Sequence, residues 1–220
     1  MPAPSKPDRR TLRRAARLFL DAIGESGLRR EMRRTPERVA DAWTEEILSG
    51  YRDDPARILG GAFSAPEEGM VVVADIPFVS VCVHHLLPFH GRAHVAYLPD
   101  GRLVGLSKIA RAVDVLARRL QIQERLTRQV VDALESALAP AGVACRLEAE
   151  HLCMTARGAR ARGAAVVTAA YGGAFARSAA LRAEFLRLCG AAGPAARLRR
   201  RGARRRQRPR GGAAGHAARR

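Results

Sequence analysis

Cysteine and histidine crowd into two short stretches whose spacing suits a metal site. Cys82-Val83-His84-His85 holds one cysteine and two of the six histidines, and His151-Leu152-Cys153 supplies the same atom types far downstream. Cys82 and His85 stand three apart, close enough to grip one ion from a tight turn, and Cys153 can close on that ion from a separate strand. Two thiolates and one imidazole are soft-to-borderline ligands that suit zinc, Zn2+. Three protein ligands rather than four leave a position for water, the pattern of a catalytic zinc. The competing reading makes Cys82 and Cys153 small buried hydrophobes, as free cysteines usually are. The spare imidazoles of His84 and His151 weigh against it.

A second group of residues suits phosphate. Ser107 can cap a helix that opens at Gly105-Leu106-Ser107, and a helix N-terminus offers free amides and a positive dipole end. Lys108 and Arg111 lie three apart and share a face of its first turn. Only two of the 39 basic residues are lysine, Lys6 and Lys108, so an ammonium at 108 marks a place where arginine was not used. Amides, ammonium and guanidinium together make a polyphosphate cradle. A capped surface helix with solvated charges is the plainer alternative. Arg157 follows Cys153 by four residues and brings another cation towards the metal. Gln123-Glu124 opens a further helix, where an acid also simply complements the dipole.

These groups need elements to hold them. Apolar residues from Arg10 to Gly24 recur at helical spacing, and Thr35-Pro36-Glu37 starts a second helix with a capping threonine, closing at Gly50. These two helices dock on a neighbour or on the main domain. Residues 53–69 read as loop. Strands follow over Met70–Ser80 and Phe89–Leu98, the latter half-buried, with Ala93, Val95 and Tyr97 inward. Helices are expected from Gly105, with Leu106, Ile109, Ala110, Val113, Leu116 and Ala117 on one side, and from Gln121 to Leu138. Val143–Met154 reads as a strand that carries Val143, Cys145, Leu147, Ala149, His151 and Cys153 on one face. A last strand, about Ala164–Tyr171, precedes Gly172-Gly173 and a short helix to Leu188. Two strands, two helices and two strands make an α+β core, ββααββ. The expected division is a disordered 1–8, a helical region 9–52, a catalytic domain 53–190 and a disordered arginine-rich tail 191–220.

Composition narrows the function classes. The net charge of +18 suggests nucleic acid until it is located. Residues 191–220 hold eleven arginines and no acid, and the remainder carries 28 basic against 21 acidic residues. The tail could hold nucleic acid through phosphates alone, since it lacks aromatics for stacking on bases. No signal peptide or membrane span is evident, so a cytoplasmic, reducing setting is expected for the four cysteines.

Together these stretches resemble the GTP cyclohydrolase I family. The resemblance rests on Cys82–His85, Gly105-Leu106-Ser107-Lys108, Gln121-Ile122-Gln123-Glu124-Arg125-Leu126-Thr127 and His151-Leu152-Cys153 through Arg157-Gly158. Thr35-Pro36-Glu37-Arg38-Val39 and Gly172-Gly173-Ala174-Phe175 extend it over about Thr35–Leu188. It implies the tunnelling (T-) fold in a toroidal homodecamer with active sites between subunits. It further implies hydrolysis of GTP at C8 to formate and 7,8-dihydroneopterin triphosphate, which feeds folate, another pterin or a 7-deazapurine. By position, Cys82, His85 and Cys153 match the family's zinc ligands, and His84 and His151 its proton-transfer histidines. Ser107, Lys108, Arg111 and Arg157 match the ribose-triphosphate side, with Ser107 also among the acid–base groups, and Gln123 and Glu124 match guanine recognition.

Two departures stand out. The family usually carries Cys-Glu-His-His, and Val83 replaces the acid here. That acid is not a zinc ligand, so metal binding should survive, although loss of a supporting contact can cost roughly 10–100-fold. The strand before Gly172-Gly173 is also more apolar than the family's Ser/Thr-rich one. A weakly active paralogue kept for assembly or regulation, and nucleic-acid binding through the tail, are the alternatives to an active enzyme.

Overall fold

A computed structural model of the chain describes residues 6–25, 30–66 and 68–190. The expected disorder of residues 1–5 and 191–220 lies outside these residues. Asp8 is ordered enough to cap the first helix, accepting from the Thr11 amide at 2.9 Å.

The fold is α+β, built on a five-stranded sheet of order β5-β2-β3-β6-β7. Its strands are β2 (Val71–Cys82), β3 (Pro88–Leu98), β5 (Leu120–Gln121), β6 (Gly142–His151) and β7 (Val166–Gly172). Four strands run antiparallel, and β5 joins β2 in parallel. Helices α4 (Leu106–Ala117) and α5 (Gln123–Leu138) cover one face. On α5, Leu126, Val130, Leu134 and Leu138 recur every fourth residue and are buried, with Thr127 and Val131 beside them. They meet Val143, Cys145, Leu147 and Ala149 of β6 and Ala93, Val95 and Tyr97 of β3. The alternation read from the sequence is thus the alternation of the core. Ala139, with φ of 45°, closes α5 ahead of Pro140.

Several expectations change. His94 and Ala96 point away from α4 and α5, yet both are fully buried, so β3 is covered on two faces. The second cover is a smaller core in which Ala96 and Ala144 pack with Phe175, Phe185 and Cys189 of α7 (Gly173–Arg177) and α8 (Ala179–Gly190). Residues 53–69 are not all loop. Asp54 caps α3 (Pro55–Leu59), and β1 (Phe63–Ser64) pairs with β4 (Arg102–Leu103). Proline and glycine in that stretch mark a helix start and its exit, not a continuous coil. Thr35 lies inside α2 (Thr35–Asp41) and makes no cap, and a π-helical turn, Ala42–Ile47, continues it. Gln121 belongs to β5, because it pairs with Cys82 before α5 begins. Leu106 is exposed, whereas Ala112 and Val115 join the buried side of α4.

The helix α1 (Arg9–Ala22) lies along α2, with Arg9 against Asp41 and Arg13 3.8 Å from Glu37. It buries no residue, and Phe19 stays 65% exposed.

Candidate metal centre

The site forms where β2 turns into β3. The Cys82 amide donates to Leu87 O and the Leu86 amide to Cys82 O, both at 2.9 Å, closing a tight loop that presents His84 and His85. Leu86 adopts φ of 53° to complete it. On the other side the Val83 amide donates to Gln121 O at 3.1 Å, so β5 pins the base of the loop. Cys82 itself is buried, and both histidines are exposed.

β6 delivers the second half. Its register places His151 opposite Phe89, and the two rings stack at 4.5 Å and 6°. The strand ends at His151, and Cys153 sits on a short helical turn, α6 (Leu152–Thr155), instead of continuing the strand as the alternation suggested. One helical step turns the Cys153 side chain back towards the β2–β3 loop. The result brings ligand atoms of Cys82, His85 and Cys153 within 4.8 Å of one another.

The donor set fits a zinc ion. Cys153 is the informative member: burial pushes its thiol up, and Cys82 against it pushes in the same direction. Without a cation the site disfavours two bare thiolates side by side; a divalent ion would offset that repulsion and take both as thiolates beside the imidazole. Cys145 and Cys189, by contrast, lie in the two apolar cores, where burial pushes the Cys189 thiol up to about 11. They are the hydrophobic cysteines of the competing reading.

The remaining expected residues fall into two sets. His84 Nδ1 lies 3.5 Å from Cys82 Sγ, and His151 Nδ1 lies 4.0 Å from Cys153 Sγ. Arg157 Nη1 donates to His85 Nε2 at 3.1 Å. Gln123 reaches His151 Nε2 at 2.7 Å, and Glu124, exposed on the first turn of α5, acts on the same imidazole. Burial holds His151 below the usual histidine range, and the Glu124 charge partly opposes that. Ser107, Lys108 and Arg111 form the other set. Gly105, not Ser107, is the N-cap of α4, and no side-chain cap is made because the serine already lies within the helix. Lys108 donates to Gly60 O, while Ser107 and Arg111 are exposed. Among the described residues no hydrogen bond or ion pair joins this trio to the cysteine–histidine group. Topology explains the separation. α4 leads into β5, which pairs with Cys82, so the start of α4 lies a full helix away, on the order of 18 Å for twelve residues.

Sequence reasoning missed one neighbour of His151 and two of Gln123. Phe89 stacks on His151, and Thr127 and Thr168 bond to one another at 2.6 Å beneath Gln123. The cross-strand pairing of Phe89 with His151 could have been inferred once the β3–β6 register was known; the threonine pair could not.

Fold and site define an α+β protein with two cysteines and one histidine grouped so that they could hold a metal ion. The sequence model of the GTP cyclohydrolase I family matches residues 12–190. The chain is 49% identical over 185 residues to GTP cyclohydrolase 1 of Halalkalibacterium halodurans, covering 84% of this chain and 98% of that protein. It is 48% identical to the Deinococcus radiodurans protein of the same name, over 84% and 85% of the two chains. With that of Chlorobaculum tepidum it shares 50% identity, over 78% and 77%. The apo crystal structure of the archaeosine synthase QueF-Like overlays 49% of this chain and 96% of its own, with a TM-score of 0.41 and 19% identity. The chain belongs to the GTP cyclohydrolase I family.

Proposed function

We propose that this protein is a zinc-dependent GTP cyclohydrolase I, opening the imidazole ring of GTP at C8 and releasing formate and 7,8-dihydroneopterin triphosphate. The observation that carries the reading is the convergence of Cys82, His85 and Cys153 within 4.8 Å, flanked by His84 and His151. Residues 71 positions apart, from Cys82 to Cys153, are brought together by a strand pairing and a single helical turn. Family membership supplies the reaction; the donor set supplies the means.

Those three residues would hold zinc, which as a Lewis acid would lower the pKa of a water there to roughly 7. Ring opening requires protons at N7 and N9 as two C–N bonds break, and imidazoles titrate in the range where they can both give and take one. His84 and His151 are each tied by backbone to a ligand and cannot drift from the centre. The Glu124 carboxylate, exposed at the first turn of α5, accepts the paired N–H donors of guanine. Arg157 supplies a cation on the His85 side. Ser107, Lys108 and Arg111 bind the triphosphate, and Ser107 serves the later rearrangement of the sugar.

The 18 Å scale of α4 supports the finer expectation of a tunnelling fold closed into a toroidal homodecamer. In that reading one copy presents the metal centre and another presents its α4 N-terminus to the same nucleotide. Residues 53–190 carry the catalysis and 9–52 the docking. The family match ends at residue 190, so the arginine tail is not needed for the reaction. No helix among the described residues is long and apolar enough to cross a membrane, and a cytoplasmic setting suits thiolate ligands that must stay reduced.

The test is a GTP assay on the purified zinc-loaded protein, following formate together with the oxidised, fluorescent pterin. Both should appear and both should vanish with a chelator. Formate without pterin would place the defect at Ser107 and the sugar steps. Neither product, with zinc bound, would overturn the assignment in favour of a non-catalytic family member.

A further inference from the structure

Gln123 matches a position expected to read guanine, but its side chain has nothing left with which to do so. It is 1% exposed. Its Nε2 donates to Val166 O at 3.0 Å and to Thr168 Oγ1 at 3.1 Å, with Leu147 O at 3.4 Å. Its Oε1 meets His151 Nε2 at 2.7 Å.

Proton counting fixes the direction of every bond in this chain. The carbonyl oxygens of Leu147, Val166 and Gln123 can only accept. The Thr127 hydroxyl spends its one hydrogen on Gln123 O at 2.7 Å. In the 2.6 Å contact between hydroxyls, Thr168 must therefore donate to Thr127. Thr168 Oγ1 is then an acceptor, and Gln123 turns its amide nitrogen to it and to Val166 O. The Gln123 oxygen is left facing His151, and only a hydrogen on Nε2 can satisfy it. Neutral His151 is consequently the Nε2–H tautomer, with its lone pair on Nδ1. That atom faces Cys153 Sγ, and Phe89 is stacked on the ring.

We propose that Gln123 is a positioning residue, not a guanine-reading one: its Oε1 holds His151 by Nε2 and so fixes the ring with its Nδ1 edge towards Cys153. The inference rests on the cyclohydrolase reading and deepens it. Thr168 and Thr127 set the orientation of the lock without reaching the substrate. Guanine recognition is then left to Glu124 without Gln123.

The experiment uses the full, zinc-loaded chain. Wild-type turnover of GTP tests the cyclohydrolase reading by itself; the variants test the lock. Gln123→Met keeps the volume and removes the bond to Nε2. Its kcat should fall roughly 10–100-fold, with KM for GTP within about twofold of wild type and zinc content unchanged, the behaviour of an interaction used in the transition state. Gln123→Glu, whose buried carboxyl stays protonated and still offers one acceptor oxygen, should recover part of that loss. Thr168→Val, which removes one of the three acceptors that orient the amide, should lower kcat in the same direction by less. The preference for GTP over inosine triphosphate, which lacks the 2-amino group, should not change in any of them. A raised KM at wild-type kcat, or a collapsed preference, would show a base contact and overturn the proposal, as would wild-type kcat in Gln123→Met. Should Gln123→Met fail to fold, the location of the His151 proton in wild-type protein, by neutron diffraction or 15N histidine NMR, decides the matter. A proton on Nδ1 of the neutral ring would overturn it.

Discussion

Replacing Cys153 with alanine separates the metal centre from the fold. The cysteine is half-buried on a four-residue helical turn, and alanine is the best residue for such a turn. Losing a partly buried sulfur should therefore change the stability of the metal-free protein by no more than about 1 kcal/mol. Zinc binding behaves differently. Structural sites with four ligands gain on the order of 10–16 kcal/mol, so one ligand contributes about 2.5–4 kcal/mol, a loss of roughly 10²- to 10³-fold in affinity. At a zinc concentration that saturates the wild type, Cys153→Ala should hold well under one ion per chain and make no formate. His151→Ala is the matched control. Its ring is two residues away and is not among the three converging ligands, so zinc should be retained while turnover is lost. The assay is metal content after gel filtration, measured beside formate release and thermal unfolding of the metal-free forms. Stoichiometric zinc with a normal rate in Cys153→Ala would refute the three-ligand site, and loss of zinc in His151→Ala would refute the separation of roles.

Other outcomes follow from particular contacts. A Cβ on Gly91 would lie 1.9 Å from Glu148 O and 2.6 Å from Ala149 Cα, so Gly91→Ala must push β3 from β6 and should cost about 3 kcal/mol or more, read as a lowered denaturation midpoint. Val83→Glu restores the family's acid between Cys82 and His84; a rise in kcat/KM of roughly tenfold or more would show that the missing contact matters, and an unchanged rate would show that it does not. Ending the chain after Gly190 should leave cyclohydrolase activity intact and abolish any salt-sensitive retention on DNA or RNA. Mixing and reassembling Cys153→Ala with Lys108→Ala, each inactive alone, should restore part of the activity if the two ends of α4 serve one nucleotide from different copies; recovery of none, with mixed assemblies present, would place both sets in a single chain.

Much of the fold was legible because burial on one side leaves a period in the chain. β6 is the clearest case. Val143, Cys145, Leu147 and Ala149 alternate with Ala144, Arg146 and Glu148, and the inward set is the one found against α5. The same logic failed on β3. There a second layer, α7 and α8, covers part of the reverse face, and Ala96 carries no local sign of helices that arrive some eighty residues later. Short elements failed for a different reason. β5 is two residues long and exists because Cys82 and Val81 offer a free edge; neither Leu120 nor Gln121 has a propensity that demands it.

The site divides along the same line. Candidate ligands announce themselves by residue type, because thiolate and imidazole do what few other side chains can, and the grouping of Cys82, His85 and Cys153 was legible from spacing and chemistry alone. The direction of a hydrogen bond is not carried by residue type. Gln123 beside Glu124 looks like a pair of recognition side chains, yet successive helical residues point about 100° apart. One of them is buried beneath β6 and β7 while the other faces solvent. Which neighbour turns inward depends on the register of α5 against the sheet, and that register is set by Leu126, Val130, Leu134 and Leu138. The apolar stripe therefore places Gln123 under His151, and the accepting carbonyls of Leu147 and Val166 then decide which end of its amide the histidine meets.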